Sequence, residues 1–142
     1  MSRPLRISKP GLWHHVMNRG LGRRHVFTDL DYEVFLALLA ECRDRWGIET
    51  HAFCLMSNHF HLLLKDPQGH LSRAMRHLTG VYTQRIHRRD GGDGPIFRGR
   101  FRSRLVQDGA YVLEAARYIH MNPVAAGLVR RAGDYRWSSH RD

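Results

Sequence analysis

The chain is 142 residues long and carries 23 Lys and Arg against 13 Asp and Glu, a formal net charge of +10 at pH 7. This length predicts a single domain, residues 1–142, with a core large enough to fold without disulfide bonds or a structural metal. The N-terminus carries Arg3, Arg6 and Lys9 with no apolar run behind them, and no later stretch is apolar over a membrane-spanning length. We therefore expect a cytoplasmic protein that makes no membrane contact.

Arginine supplies almost all of the positive charge, since the only lysines are Lys9 and Lys65. The guanidinium group binds phosphate oxygens in pairs and stacks on flat rings, so the excess favours a nucleic-acid partner, although a GC-rich coding sequence would also enrich arginine. The chain has no G-x-x-x-x-G-K-[ST] loop, and we expect no nucleotide cofactor. Cys42 and Cys54 lie in apolar surroundings and are predicted to be reduced core thiols.

Residues 12–19 alternate well enough to predict a first strand, which ends where Gly20 allows the backbone to turn sharply. His14 and His15 lie within this strand. We interpret both histidines as structural or surface residues.

The next segment predicts an amphipathic helix followed by a hairpin. Thr28 or Asp29 is the expected N-cap of the helix, and Gly47 is its expected end. Residues 48–56 then predict a second strand. Ser57-Asn58 is a tight polar turn, so the second and third strands should pair antiparallel.

The third strand begins with two histidines separated by one bulky apolar residue. In an extended backbone His59 and His61 project to the same face, while Phe60 faces the other way. Two imidazoles can hold one metal ion if a third ligand arrives from elsewhere. On its own, however, a His-x-His motif is more often ordinary polar surface.

A second helix is predicted after the break at Asp66-Pro67-Gln68-Gly69. Its apolar stripe comprises Leu71, Met75, Leu78, Tyr82 and Ile86, and we interpret the tyrosine as a core residue. The arginines at its other positions are Arg73, Arg76, Arg85, Arg88 and Arg89. A flexible loop, residues 91–95, follows the helix.

The segment beyond this loop is strongly basic. If residues 97–104 are extended, the four arginines line one face and Phe97 and Phe101 lie on the other. These arginines are Arg98, Arg100, Arg102 and Arg104. We expect the basic strand and the basic second helix to form one groove for a phosphate backbone, with aromatic rings for stacking on unpaired bases.

A third helix is predicted from a cap at Asp108 to about Met121, where Pro123 should end it. One face carries Tyr111, Ala115, Tyr118 and Asn122, and another carries Val112, Ala116 and Ile119. The second of these faces is expected to pack on the sheet. Residues 123–129 should form a further short helical turn. The order strand, helix, strand, strand, helix, strand, helix predicts an α+β, ferredoxin-like fold.

Some of these side chains suit the cutting of a phosphodiester by a tyrosine hydroxyl, which leaves a phosphotyrosyl enzyme and a free hydroxyl on the departing strand. Such a site needs a cation to neutralise the developing charge on phosphorus. His59 and His61 would supply two neutral metal ligands, Tyr118 the nucleophile, and Asn122, one helical turn later, an oxygen ligand. Tyr111 is our second choice of nucleophile.

Four motifs in this order, which together span nearly the whole chain, resemble the REP-associated tyrosine transposases, a single-tyrosine branch of the HUH nucleases. The motifs are residues 56–64, residues 97–101, residues 118–124 and Trp137-Ser138-Ser139.

The resemblance implies that His59 and His61 bind Mg²⁺ or Mn²⁺ and that Tyr118 forms a 5′-phosphotyrosine. It also implies a substrate of single-stranded DNA beside a hairpin, a REP-like palindrome. Asn122 matches the position of a third metal ligand, where insertion-sequence relatives more often carry glutamine.

Three functions stay open at this point. The first is a metal-dependent DNA strand transferase located on the nucleoid when bound to DNA. The second is a domesticated hairpin-DNA or RNA binding protein without turnover. The third is a metal-dependent phosphodiesterase that uses water. The sequence does not decide between a monomer and a homodimer.

Overall fold

The computed structural model describes residues 9–140, so Arg3 and Arg6 lie outside the described range. Within this range the chain forms four β-strands and three α-helices. In chain order they are β1 (Leu12–Arg19), α1 (Asp31–Trp46), β2 (Glu49–Met56), β3 (His59–Asp66), α2 (Leu71–Asp90), β4 (Arg102–Val106) and α3 (Ala110–Ala125). Short 3₁₀ turns occupy Leu21–Arg23 and Ala132–Asp134.

The four strands form one antiparallel sheet in the order β2-β3-β1-β4. The two central strands are therefore β3 and β1, joined in a register that pairs Met17 with His61 and Arg19 with His59. Strands β2 and β3 form the expected hairpin around Ser57-Asn58. This order and the helical crossovers confirm the α+β, ferredoxin-like prediction.

The sheet buries both of its faces. Helices α1 and α2 cover one face, where their apolar stripes pack against Val16, Phe60, Leu62 and Leu64. All five apolar residues predicted for the stripe of α2 are buried. Helix α3 covers the other face, where Ile119 packs with Leu63 and with residues of β2. Cys42 and Cys54 are buried free thiols, as predicted, and burial raises both thiol pKa values to about 12.

The C-terminal residues extend the sheet beyond β2. The Leu55 N–H donates to the Trp137 carbonyl, and the Ser139 N–H donates to the Phe53 carbonyl. Trp137 also stacks on Tyr32 with the two ring planes 5° apart. This segment therefore covers an edge that would otherwise be open.

The predicted caps of α1 and α3 are wrong. The residues that precede these helices are Leu30 and Gly109, and neither makes a side-chain cap. At α1 the Asp31 carboxylate instead accepts hydrogen bonds from the N–H and hydroxyl of Thr28. A carboxylate in the first turn of a helix can accept hydrogen bonds from the turn that precedes the helix. Asp31, the first residue of α1, therefore makes the side-chain contact that was expected from a residue before the helix.

The predicted end of α3 is also wrong, because the helix continues through Pro123 to Ala125. Proline removes one hydrogen bond, but later bonds persist, including one from the Ala126 N–H to the Asn122 carbonyl. Pro123 and Ile119 are buried against the sheet, and this packing outweighs the local preference of a residue before proline. Residues 123–125 of the predicted further turn are thus the end of the same helix, and Gly127, φ +75°, lies in the turn that follows it.

The basic segment is only partly a strand. Regular pairing begins at Arg102, while Phe97 forms an isolated bridge with Gly20 and residues 98–101 belong to no strand. Phe97 and Phe101 are nevertheless buried, and the four arginines of the segment are exposed, as the alternation predicted.

The expected common groove between β4 and α2 is wrong. Arg102 pairs with Met17, which pairs with His61, so these three side chains share the face that α3 covers. Helix α2 packs on the opposite face.

None of the helices in the described part of the chain is both long and apolar enough to cross a membrane.

The start of α2 depends on one buried carboxylate. Asp66, 0% exposed, accepts hydrogen bonds of 2.9–3.0 Å from the N–H groups of Gly69, His70 and Leu71. These are donors that the first turn of a helix leaves unpaired, and their dipoles favour a negative charge there. The end of β3 and the start of α2 are thereby fixed together.

We predict that Asp66→Ala lowers the free energy of unfolding by about 2–3 kcal/mol, because it leaves one buried and two half-buried N–H donors without their acceptor. Urea denaturation would measure the change. The matched control is Asp93→Ala, which removes an exposed loop carboxylate and should change the value by less than about 0.5 kcal/mol. Equal effects of the two substitutions would contradict this assignment.

Candidate active site

The hairpin turn and the first residues of β3 place two imidazoles on the face of the sheet that α3 covers. His59 and His61 point to this face together, as predicted, with their ring centroids 5.3 Å apart. Asn58, interpreted from the sequence only as a turn former, places its Oδ1 2.7 Å from His59 Nδ1. An amide oxygen only accepts hydrogen bonds, so His59 carries its proton on Nδ1 and leaves Nε2 bare.

His15 belongs to the same cluster, which the sequence analysis missed. It lies on β1, 6% exposed, and its Nε2 is 2.9 Å from His61 Nδ1. His14, its neighbour in sequence, points to the opposite face and is also buried. The β1–β3 register brings His15 to His61, and no local sequence signal carries that information.

Helix α3 brings Asn122 to the two histidines. Asn122 Oδ1 lies 3.3 Å from His59 Nε2, and Asn122 Nδ2 lies 3.4 Å from His61 Nε2. These distances are long for hydrogen bonds. The first of them, between the amide oxygen and His59 Nε2, is close to the spacing of about 3 Å between neighbouring ligands of an octahedral ion with bonds of roughly 2.1 Å. His59 Nε2, His61 Nε2 and the Asn122 amide thus face one another, and they are the candidate ligands of a shared divalent cation.

This donor set is neutral and small. No three His, Cys, Asp or Glu side chains between residues 9 and 140 converge in a metal-binding arrangement. A cation here would rely on two imidazoles and one amide, with water or substrate phosphate completing its coordination; Mg²⁺ usually keeps several waters and binds substrate phosphates in this way.

Tyr118 lies beside this cluster. Its ring is 5.8 Å from that of His61 and 5.7 Å from that of His15, both in edge-to-face contact, and its side chain is open to solvent with the residue 58% exposed. The other two tyrosines that we weighed differ. Tyr82 is fully buried and donates its hydroxyl hydrogen bond to the Val26 carbonyl, which confirms its interpretation as core. Tyr111 is exposed in the first turn of α3.

A cavity of about 1280 Å³ opens next to the histidines. It is lined by His59 and His61, by Arg19 and Arg23, and by all four arginines of the basic segment, Arg98, Arg100, Arg102 and Arg104. The helix arginines Arg73, Arg76, Arg85 and Arg88 are not among its lining residues. The candidate metal ligands therefore lie beside a strongly positive surface.

Burial keeps the imidazoles of the cluster neutral. It lowers the pKa of His61 to about 3, with the nearby His15 and His59 acting in the same direction. Burial also lowers the pKa values of His59 and His15, and in His15 Arg104 adds to the effect. Neutral imidazole is the form that binds a metal ion, so this environment prepares the ligands.

Comparison with known proteins identifies the family. The family described as "Transposase IS200 like" matches residues 8–122 of the chain. The chain belongs to the IS200-like transposase family. This confirms the resemblance found in the sequence motifs and establishes the transposase class.

Individual relatives agree with this assignment. A Haemophilus influenzae protein named a REP-associated tyrosine transposase is 27% identical over 148 residues, which cover 96% of this chain and 84% of that protein. A solved structure of a REP-associated tyrosine transposase bound to a REP hairpin has a TM-score of 0.83 and 21% identity, over 98% of this chain and 82% of its own. A Deinococcus radiodurans protein described as a transposase has a TM-score of 0.55 and 18% identity, over 83% and 95%.

We predict that this transposase-family chain, freed of metal with EDTA, loses stability as the pH falls from 7 to 5. Unfolded His61 takes up a proton near its ordinary pKa of 6.5, whereas the folded ring stays neutral down to about pH 3. Each pH unit between these values therefore lowers the free energy of unfolding by about 1.4 kcal/mol for one such group. Urea denaturation at several pH values would measure it. His61→Gln should reduce the slope, and an unchanged slope would contradict the prediction.

Proposed function

We propose that this transposase cuts and rejoins single-stranded DNA through a covalent bond to Tyr118. The observation that carries the proposal is the position of an exposed tyrosine one helical turn before Asn122 and against His61, which itself lines the arginine-rich cavity. A nucleophile, a candidate cation site and a surface for phosphates thus occur together. Each is a part that phosphoryl transfer to a side chain requires.

In the proposed step, Tyr118 Oη attacks a backbone phosphorus and forms a phosphorus–oxygen bond. The bond from that phosphorus to the 3′ oxygen breaks, the departing strand takes up a proton to become a free 3′-hydroxyl, and the tyrosine proton passes to solvent. The 5′ side of the break remains on the enzyme as a phosphotyrosine. Attack by another 3′-hydroxyl reverses the same exchange and joins strands without an external energy source.

The residues around Tyr118 each support this step. His59, His61 and Asn122 would hold Mg²⁺ or Mn²⁺, which when bound supplies charge stabilisation at the phosphoryl oxygens. The edge-to-face contacts with His15 and His61 limit the directions that the tyrosine ring can take. A tyrosine hydroxyl is a weak nucleophile until it is activated, so the reactivity of Tyr118 depends on this placement.

We further propose that the substrate is single-stranded DNA next to a hairpin. The fold resembles that of a transposase bound to a REP hairpin, and the arginines at the cavity suit a phosphate backbone. Arg98, Arg100, Arg102 and Arg104 are better placed to hold the strand at the reacting phosphate than are the arginines of α2, which packs on the other face of the sheet. The α2 arginines could contact DNA only outside this cavity.

The first alternative is a protein that binds hairpin DNA or RNA without turnover. The presence of the two histidines, the asparagine and the tyrosine in one cluster favours the enzyme, because binding alone needs only the arginines. The second alternative, a water-using phosphodiesterase, needs the metal ligands but not Tyr118.

We predict that Tyr118→Phe, which removes only the hydroxyl, still folds and binds hairpin DNA but forms no protein–DNA adduct that survives denaturation. A denaturing gel of protein with labelled single-stranded hairpin DNA and Mg²⁺ would show this. Tyr111→Phe and Tyr82→Phe are the matched controls, and both should retain the adduct.

The same gel distinguishes the alternatives. An adduct whose tryptic peptide contains Tyr111 or Tyr82 would overturn the choice of nucleophile. Cleavage without any adduct would favour water as the nucleophile, and binding without cleavage would favour the binding protein. If the proposal holds, the released strand ends in a 3′-hydroxyl that a polymerase extends.

We predict that His59→Ala and His61→Ala each abolish cleavage while changing DNA affinity by no more than a few-fold. The cation acts on charge that develops in the transition state more than on docking of the strand. Cleavage assays and filter binding with the same DNA would measure the two effects. Cleavage that continues in excess EDTA would remove the metal from the mechanism.

We predict that replacing Arg98, Arg100 and Arg102 by alanine weakens binding to every DNA sequence and flattens its salt dependence. Each lost phosphate contact should reduce the slope of log K against log salt by about 0.7 for a single strand, or about 2 for three contacts. The control with the same loss of charge is the Arg73, Arg76 and Arg88 triple alanine variant on α2. Equal changes in both variants would show an effect of net charge rather than of the cavity.

A further inference from the structure

His61 can serve as a metal ligand through Nε2 only if its proton is on Nδ1. A neutral imidazole carries one proton, and the nitrogen that holds it is set by the hydrogen bond that the other nitrogen makes. His61 Nε2 faces Asn122, so the partner of Nδ1 decides whether a lone pair or a hydrogen points into the candidate metal site. That partner is His15 Nε2, at 2.9 Å.

We propose that His15 is a positioning residue that fixes the metal-binding tautomer of His61. In this arrangement the His61 Nδ1–H donates to His15 Nε2, and His61 Nε2 is left bare. The inference rests on the proposed metal-dependent function. His59 is held in the same way, because its Nδ1–H donates to Asn58 Oδ1.

The surroundings of His15 suit this role. The residue is 6% exposed and lies on a central strand of the sheet, so its position is fixed by pairing on both sides. His61 is 7% exposed, so water has little access to the hydrogen bond between the two rings. His15 also makes edge-to-face contact with the Tyr118 ring. One side chain therefore positions both a ligand and the proposed nucleophile.

The experiment measures Mn²⁺ binding to the full chain by calorimetry, without DNA. His15→Phe keeps a ring of similar size but cannot accept a hydrogen bond, and loss of a partner of this kind typically weakens metal binding about 10–100-fold. His15→Gln places an amide oxygen near the position of Nε2, so it should bind Mn²⁺ within a few-fold of the unchanged protein. His77→Phe, a partly buried histidine on α2 that pairs with Glu41, is the control and should bind Mn²⁺ normally.

A second measurement reads the tautomer directly. Nitrogen-15 NMR of metal-free protein should show His61 protonated on Nδ1, and in His15→Phe this single form should give way to a mixture. Thermal unfolding of each variant separates loss of the hydrogen bond from loss of the fold.

The outcomes are distinct. Failure of the unchanged protein to bind Mn²⁺ would overturn the metal-dependent function and this inference with it. Normal Mn²⁺ affinity and an unchanged His61 tautomer in folded His15→Phe would overturn the role of His15 alone. Equal weakening in folded His15→Gln and His15→Phe would also overturn it, since only the second lacks an acceptor.

Discussion

Strand β3 has a hydrophobic core on each face, and its two histidines are accommodated there because the Nδ1 of each ring has a hydrogen-bond partner. A buried polar group without a hydrogen bond costs about 1–3 kcal/mol. Asn58 and His15 each contact the Nδ1 of one ring, and Asn122 faces the two Nε2 atoms. The β2–β3 turn supplies Asn58, the register of β1 supplies His15, and the position of α3 supplies Asn122. The site and the fold therefore share the same contacts.

The two faces of the sheet have different tasks. The face under α1 and α2 holds the larger core, including the fully buried Phe35 and Tyr82, and this core contributes most of the buried apolar surface that stabilises the fold. The face under α3 has a smaller core and gives its remaining area to the histidine cluster and to Arg102. His61, Met17 and Arg102 lie in one row across three strands, which places the arginine Cα about 10 Å from that of the ligand. A phosphate group bound at the cluster would lie within reach of the arginine side chain.

Local patterns predicted most of the fold. The spacing of apolar residues predicted β1 to the residue and the stripe of α2, and strand alternation predicted that His59 and His61 share a face. The wrong predictions occur where contacts between residues far apart in sequence determine the structure. His15 reaches His61 only through the β1–β3 register, and packing of Pro123 on the sheet carries α3 past its expected end. The arginines of α2 and of the basic segment were expected to form one groove because the two segments are adjacent in sequence. In the structure α2 packs on one face of the sheet, whereas Arg102 lies on the other face.

The two outer edges of the sheet differ in how they are protected against further strands. Residues 137–139 pair with β2 at one edge. The other edge, β4, exposes Arg102 and Arg104, whose charges would repel the same edge of a second copy. An open strand edge is a template for pairing between chains and for aggregation, and covering one edge and charging the other are two known defences. The arginines that line the cavity therefore also protect the protein in solution, and replacing them would expose it to edge-to-edge association.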